Sequence, residues 1–186
     1  MQLFTGPMET TLSSFDRILN ACLEVFLKKN KDYGTSWRVL RAPSLTDQIL
    51  IKASRIRSID EKGVQKVDDP LYLEFYGLIN YSIMALIQLS EDDLEKDLNA
   101  VQLRELYEEQ IANIRKLLSD KNHDYGEVWR MMRVSSIIDI ILMKVHRIIS
   151  IEENQGKTLI SEGIDANYHD IINYSVFAII KLEEKT

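Results

Sequence analysis

The chain has 186 residues, 45% of them hydrophobic, which is enough to bury a sizeable core as one large domain or two small ones. Its 7 glycines and 3 prolines are too few for a turn-rich all-β fold. A formal net charge of −6 argues against direct nucleic-acid binding, whose affinity comes largely from neutralising phosphates, although a local basic patch stays allowed.

Residues 1–7 lack the charged segment and apolar run of a signal peptide. The first predicted helix spans residues 14–29. Phe15, Ile18, Leu19, Cys22, Val25 and Phe26 recur there at helical spacing. Cys22 is the only cysteine, so no intrachain disulfide can form and a reducing cytoplasm fits. The loop Asp32-Tyr33-Gly34 ends this helix, with Gly34 supplying a positive φ and Asp32 able to close an Asx-turn. A second helix is predicted to start at Ser44-Leu45-Thr46-Asp47, a capping-type signal, and to stop at Gly63. A third covers residues 71–89.

The same pattern then returns. Lys29-Asn30-Lys31-Asp32-Tyr33-Gly34-Thr35-Ser36-Trp37-Arg38 reappears as Lys121-Asn122-His123-Asp124-Tyr125-Gly126-Glu127-Val128-Trp129-Arg130, at an offset of 124 − 32 = 92. Lys52 and Arg55 meet Lys144 and Arg147 at that offset. One inserted residue raises it to 93, so that Gly63 meets Gly156 and Asn80 meets Asn173. The last helix is predicted over residues 164–182. No apolar run is long enough to span a bilayer, since Asp139 and Lys144 interrupt the best one, and no membrane association is expected. The expected architecture is an all-α helical bundle of two tandem repeats, each of about three helices, related by an approximate twofold. Repeat 1 covers residues 11–90, an acidic linker 91–100, and repeat 2 residues 101–186. Homo-oligomerisation is left open.

Among the recurring polar residues the cations stand out. Lys52 and Arg55 share a helix face, as do Lys144 and Arg147, while Arg38 and Arg130 precede that helix, whose N-terminal N–H groups also favour anions. Together they could converge on phosphate, arginine as a bidentate fork and lysine as a point charge. The competing explanation is that they form surface ion pairs. Tyr33, Trp37, Tyr125 and Trp129 could stack on a base, or they could plug the bundle ends with the Trp37 N–H reaching a carbonyl.

The copies differ in their acids. Gly77 becomes Asp170, Glu74 becomes Asn167, and Asp69 corresponds to Glu162. Glu162, Asp165 and Asp170 are therefore candidate ligands for Mg2+ or Mn2+, against the alternative of a solvated acidic face. His169-Asp170 does not complete the HD phosphohydrolase pattern, because no further aspartate follows. Cys22 lies on an apolar stripe and is no candidate nucleophile.

These motifs resemble a known family. The Asp-Tyr-Gly-x-x-Trp-Arg loop, Ser44-Leu45-Thr46-Asp47-Gln48, Lys52-x-x-Arg55-Ile56 and Ile79-Asn80-Tyr81, with their second-copy partners, are similar to the nucleotide-modification-associated domain of type 1. That resemblance implies an association with modified-nucleotide metabolism and, with it, a nucleotide or nucleoside-phosphate ligand. A more distant resemblance is to the all-α nucleoside-triphosphate pyrophosphohydrolases of the MazG type. Glu162-Gly163-Ile164-Asp165 has the E-x-x-D spacing of their metal helix, but Lys144-x-x-Arg147 stands where those enzymes carry acids. The expected function is nucleotide binding, with metal-dependent pyrophosphate release as the activity this second resemblance implies. A non-catalytic nucleotide sensor and a purely structural, partner-binding protein are the alternatives.

Overall fold

Glycine closes the first helix of each repeat. In the structure, a computed structural model describing residues 7–66, 70–91, 97–160 and 162–185, α1 runs Pro7–Tyr33 and α4 runs Ala100–Tyr125. Gly34 (φ 63°) and Gly126 (φ 64°) then turn back, their N–H groups donating to the Asn30 and Asn122 carbonyls at 2.8 and 2.9 Å. A short 3-10 turn follows each glycine, Ser36–Val39 and Val128–Met131. Then come α2 (Ala42–Lys62) and α5 (Val134–Glu153), and finally α3 (Leu71–Ser90) and α6 (Ile164–Glu183). Among the described residues every regular element is helical, as the sequence implies. No described helix is long and apolar enough to cross a membrane.

Three local expectations need correction or lie out of reach. First, α1 continues through Asp32, so that residue sits in a last helical turn and the glycine alone makes the stop. Second, α2 starts at Ala42 with Arg41 in extended conformation at its N-cap and Pro43 in its first turn. Ser44 and Asp47 therefore lie inside the helix; the proline, whose fixed φ suits a first turn, is what marks this start. Third, residues 92–96 of the acidic linker lie outside the described residues, as does Asp69. Beyond the linker, Asn99 caps α4 with a reciprocal pair: its Oδ1 accepts from Val101 and Gln102 N–H groups, and Gln102 Oε1 accepts from the Asn99 N–H.

The single inserted residue falls at the end of α5. Gly63 ends α2 at φ 63°, with its N–H on the Ile59 carbonyl. At the matching corner Gln155 (φ 56°) and Gly156 (φ 76°) are both left-handed, and the Gly156 N–H reaches the Ile151 carbonyl at 2.8 Å. A non-glycine residue pays for that backbone region, so the insertion is accommodated by local strain while the helix stays intact.

Within each repeat α2 packs on α3 and α5 on α6. Between repeats α3 meets α6, α2 meets α5 and α1 meets α4. Like elements meet like elements, the pattern a twofold axis produces. One continuous core results, to which all six helices contribute, from Phe15 and Phe26 through Ile49, Phe75 and Tyr107 to Ile141 and Tyr168.

Candidate functional site

The matched Lys-x-x-Arg pairs of α2 and α5 end in different arrangements. In repeat 1 both cations turn to one carboxylate. Glu74, from the first turn of α3, is buried; Lys52 Nζ donates to its Oε2 at 3.3 Å and Arg55 to its Oε1. The Lys52 chain crosses Gly77, one turn along, where a Cβ would lie 2.4 Å from its Cδ. Glycine at 77 is what lets the lysine take that path.

In repeat 2 the carboxylate has moved by that one turn. Asn167 replaces Glu74 and donates its amide to the Gly163 carbonyl at 2.9 Å. Asp170 replaces Gly77 and is clamped between Lys144 (Oδ2, 2.6 Å) and Lys121 of α4 (Oδ1, 2.8 Å). Lys144 is 9% exposed and Asp170 8%. Burial pushes the Asp170 carboxyl up, but the hydrogen bonds and charges of Lys121 and Lys144 outweigh it and hold it below the usual carboxylate range. Burial likewise works against the Lys121 ammonium, and Asp170 reverses it, raising its pKa.

Arg147 has neither acid. It is exposed and, among the described residues, has no hydrogen-bond or ion-pair partner. It opens on a cleft of about 1000 Å³ between α5, the segment after it and the start of α6. Ser150, Asn154, Lys157, Glu162 and Asn167 supply the polar lining, with Met143, Ile151, Leu159 and Ile160 the apolar one. The equivalent corner of repeat 1 has a cleft of about 360 Å³, where Arg55, Lys62 and Lys66 gather. A third groove, about 430 Å³ between α2 and α5, shares Met143 and His146 with the large cleft.

In neither repeat are the three cations expected to converge on phosphate brought together in one cleft. Arg130 is held by Glu127 (2.6 Å), Glu184 and Thr11 and stands over the Trp129 ring at 4.5 Å, a structural tie between α1, the 3-10 turn and α6. Arg38 is buried beside Trp37, 6.0 Å from its ring centroid. Neither lines the clefts that hold Arg55 and Arg147.

The aromatics divide. Tyr33 and Tyr125, the last residues of α1 and α4, are 72% and 76% exposed. Trp129 is buried and stacks on Phe177 at 4.3 Å, while Trp37 is half-buried and meets Phe26 edge-on at 6.0 Å. The tryptophans thus plug the bundle with different partners, because Phe26 is matched by Leu118 and Phe177 by Met84. Contrary to expectation, neither indole N–H finds a carbonyl among the described residues: both Nε1 atoms are buried without a partner there, as are Asn30 Oδ1 and Asn122 Nδ2 of the same motifs.

The three acids expected to hold Mg2+ or Mn2+ do not form a ligand set. Glu162 and Asp165 are exposed, Asp170 lies under two lysines, and no group of three or more histidine, cysteine, aspartate or glutamate residues among those described could hold a metal ion. A divalent cation at Asp170 would have to displace both ammonium groups, so the residues as arranged do not fit one.

Two polar features escape the sequence pattern. Lys157 joins the large cleft where the chain reverses at Gln155 and Gly156. Thr46, buried on α2, donates to Glu152 of α5 at 2.7 Å and lies 2.8 Å from the Tyr168 hydroxyl of α6, linking the repeats. Burial raises the Glu152 carboxyl and pushes the Tyr168 hydroxyl up to about 12, in each case against the Thr46 hydrogen bond.

The fold and the paired loops define a duplicated all-helical domain, with an arginine-lined cleft at the equivalent corner of each repeat. The chain belongs to the nucleotide modification associated domain 1 family, which matches it twice, over residues 29–89 and 121–182. Each match begins at the lysine that opens the loop motif, so it takes in the loop and the two helices after it. No curated protein and no solved structure matches the chain.

Proposed function

We propose that the protein binds a nucleotide or nucleoside phosphate in the second-repeat cleft, with Arg147 as the phosphate contact. The observation that carries this is a guanidinium without an acid of its own, opening on a cleft of about 1000 Å³. Arginine engages phosphate through two parallel N–H donors, and Lys157 on the same rim adds a point charge. Met143, Ile151, Leu159 and Ile160 offer apolar surface for a base or sugar, the mix of apolar wall and few polar anchors usual in small-molecule sites. Membership in a family associated with nucleotide modification supports the same ligand class. Pyrophosphate release from a nucleoside triphosphate needs a metal ligand set, and Asp170 is engaged by Lys121 and Lys144. Binding requires no such rearrangement and is the reading we favour.

The test is a thermal-shift and calorimetric screen against canonical and modified nucleoside mono-, di- and triphosphates, with and without Mg2+ or Mn2+. A ligand that binds only the native state raises the melting temperature. Arg147→Ala should weaken binding by about 1.5–3 kcal/mol, the range for hydrogen bonds to a charged group. Arg55→Ala should leave it nearly unchanged. Equal affinity in wild type and Arg147→Ala would remove the proposal, and stabilisation that needs metal, with pyrophosphate released, would restore the hydrolase.

A further inference from the structure

The two clefts stand at equivalent places. Arg55, Ser58 and Ile59 line one, and Arg147, Ser150 and Ile151, each 92 positions on, line the other. In repeat 1 the arginine already holds an anion, the Glu74 carboxylate, supplied by the fourth residue of α3. In repeat 2 the fourth residue of α6 is Asn167, which lines the cleft and turns its amide onto Gly163. The lysine of the pair has meanwhile been drawn away to Asp170.

We infer that Glu74 is a built-in anion, occupying in repeat 1 the position that a ligand phosphate takes in repeat 2. The chain then binds one phosphate ligand rather than two, and removing Glu74 opens a second site. This rests on the proposal that Arg147 contacts phosphate. The physical basis is that a guanidinium accepts carboxylate and phosphate oxygens in the same planar fork. A carboxylate tethered on the neighbouring helix has already lost its translational freedom, so it outcompetes a free ligand for that fork. Lys52 strengthens the closure from the same face, donating to the other oxygen of Glu74. Repeat 2 has lost this closure through two linked changes. Loss of the acid at 167 leaves Arg147 open, and gain of the acid at 170 keeps Lys144 neutralised once no carboxylate stands at 167. Glu162 lines the open cleft along with Lys157 and Arg147.

The experiment is a calorimetric titration with ATP, and separately with inorganic pyrophosphate, on four folded proteins: wild type, Glu74→Asn, Glu74→Asn with Arg55→Ala, and Asn167→Glu. The expected stoichiometries are one site in wild type, two in Glu74→Asn, and one again when Arg55 is also removed. Asn167→Glu places the carboxylate of repeat 1 into repeat 2, and should weaken binding at least tenfold while circular dichroism stays that of wild type. One site in both wild type and Glu74→Asn overturns the inference and leaves the Arg147 cleft standing. Unchanged affinity in Asn167→Glu overturns it by the second route, should Glu74→Asn not fold. No binding to wild type by either probe overturns the nucleotide proposal itself, and the inference with it.

Discussion

Repeat 1 and repeat 2 answer the same problem in different ways. Each must neutralise a lysine and an arginine one turn apart on its middle helix. Repeat 1 does it with one glutamate that both cations share, at a position where Lys52 and Arg55 keep 27% and 33% of their side-chain surface in water. Repeat 2 buries an aspartate between two lysines and leaves the arginine outside. The lesson is that a duplicated motif preserves positions while the pairing of charges is free to change. A one-turn shift of a carboxylate converts a closed pair into an open one.

The largest expected difference between the copies follows from burial. Asp170→Ala leaves Lys144, buried on α5, without the carboxylate it meets across the helix interface. Breaking a buried pair in this way costs about 3–5 kcal/mol. Glu74→Ala should cost less, about 1–3 kcal/mol, because its partners can hydrate. Urea unfolding of both variants checks the order, and equal losses would show that the two arrangements do not differ in kind.

A smaller effect sharpens the comparison in the core. Tyr107 of α4 donates its buried hydroxyl to Asn80 Oδ1 at 2.6 Å. The repeat offset puts Phe15 where Tyr107 stands and Asn173 where Asn80 stands, and among the described residues Asn173 Oδ1 is buried without a partner. Phe15→Tyr should restore the missing bond and stabilise the protein by about 0.5–1.5 kcal/mol. A lower melting temperature would mean that the core around Phe15 has no room for the added oxygen.

The smallest effect is in pH dependence. Burial lowers the pKa of His169 from 6.5, against the pull of Asp165 and Asp170 and with the push of Lys121. Its folded value therefore lies below its unfolded one. As pH falls through about 6.5 the unfolded chain takes up a proton that the folded chain resists, so stability declines toward acid. His169→Gln should flatten the melting temperature between about pH 7 and pH 5. An unchanged slope assigns that decline to other groups. Asp170 acts lower on the scale: with its folded pKa depressed, the stability it contributes is present above its ordinary value of 3.8 and is lost as pH falls through the folded one.

Much of this architecture is legible in the residues. The repeat, the apolar stripes and the glycines that end α1, α2 and α4 are local signals, and local physics honours them. The exchange of Glu74 and Gly77 for Asn167 and Asp170 is also visible in the sequence. What cannot be read there is which charge meets which. Asp170 reads as a metal ligand until Lys121, 49 positions away, arrives from α4. Arg130 reads as a phosphate contact until Thr11 and Glu184 close around it from opposite ends of the chain. The start of α2 is misjudged for the reverse reason: a real local signal at Pro43 is overshadowed by a stronger-looking one at Ser44.

The like-with-like packing of the two repeats bears on how such a protein arises. A surface that meets its own equivalent is the surface of a symmetric dimer. A chain carrying one repeat would cover its exposed helices by pairing with an identical copy, and every substitution in it would then appear on both sides at once. An acid gained in one cleft would be gained in the other. Joining the copies in tandem removes that restriction, because each half now mutates alone. The fused chain can keep one cleft shut on its own glutamate as a brace and leave the other open, a division of labour that a homodimer cannot encode.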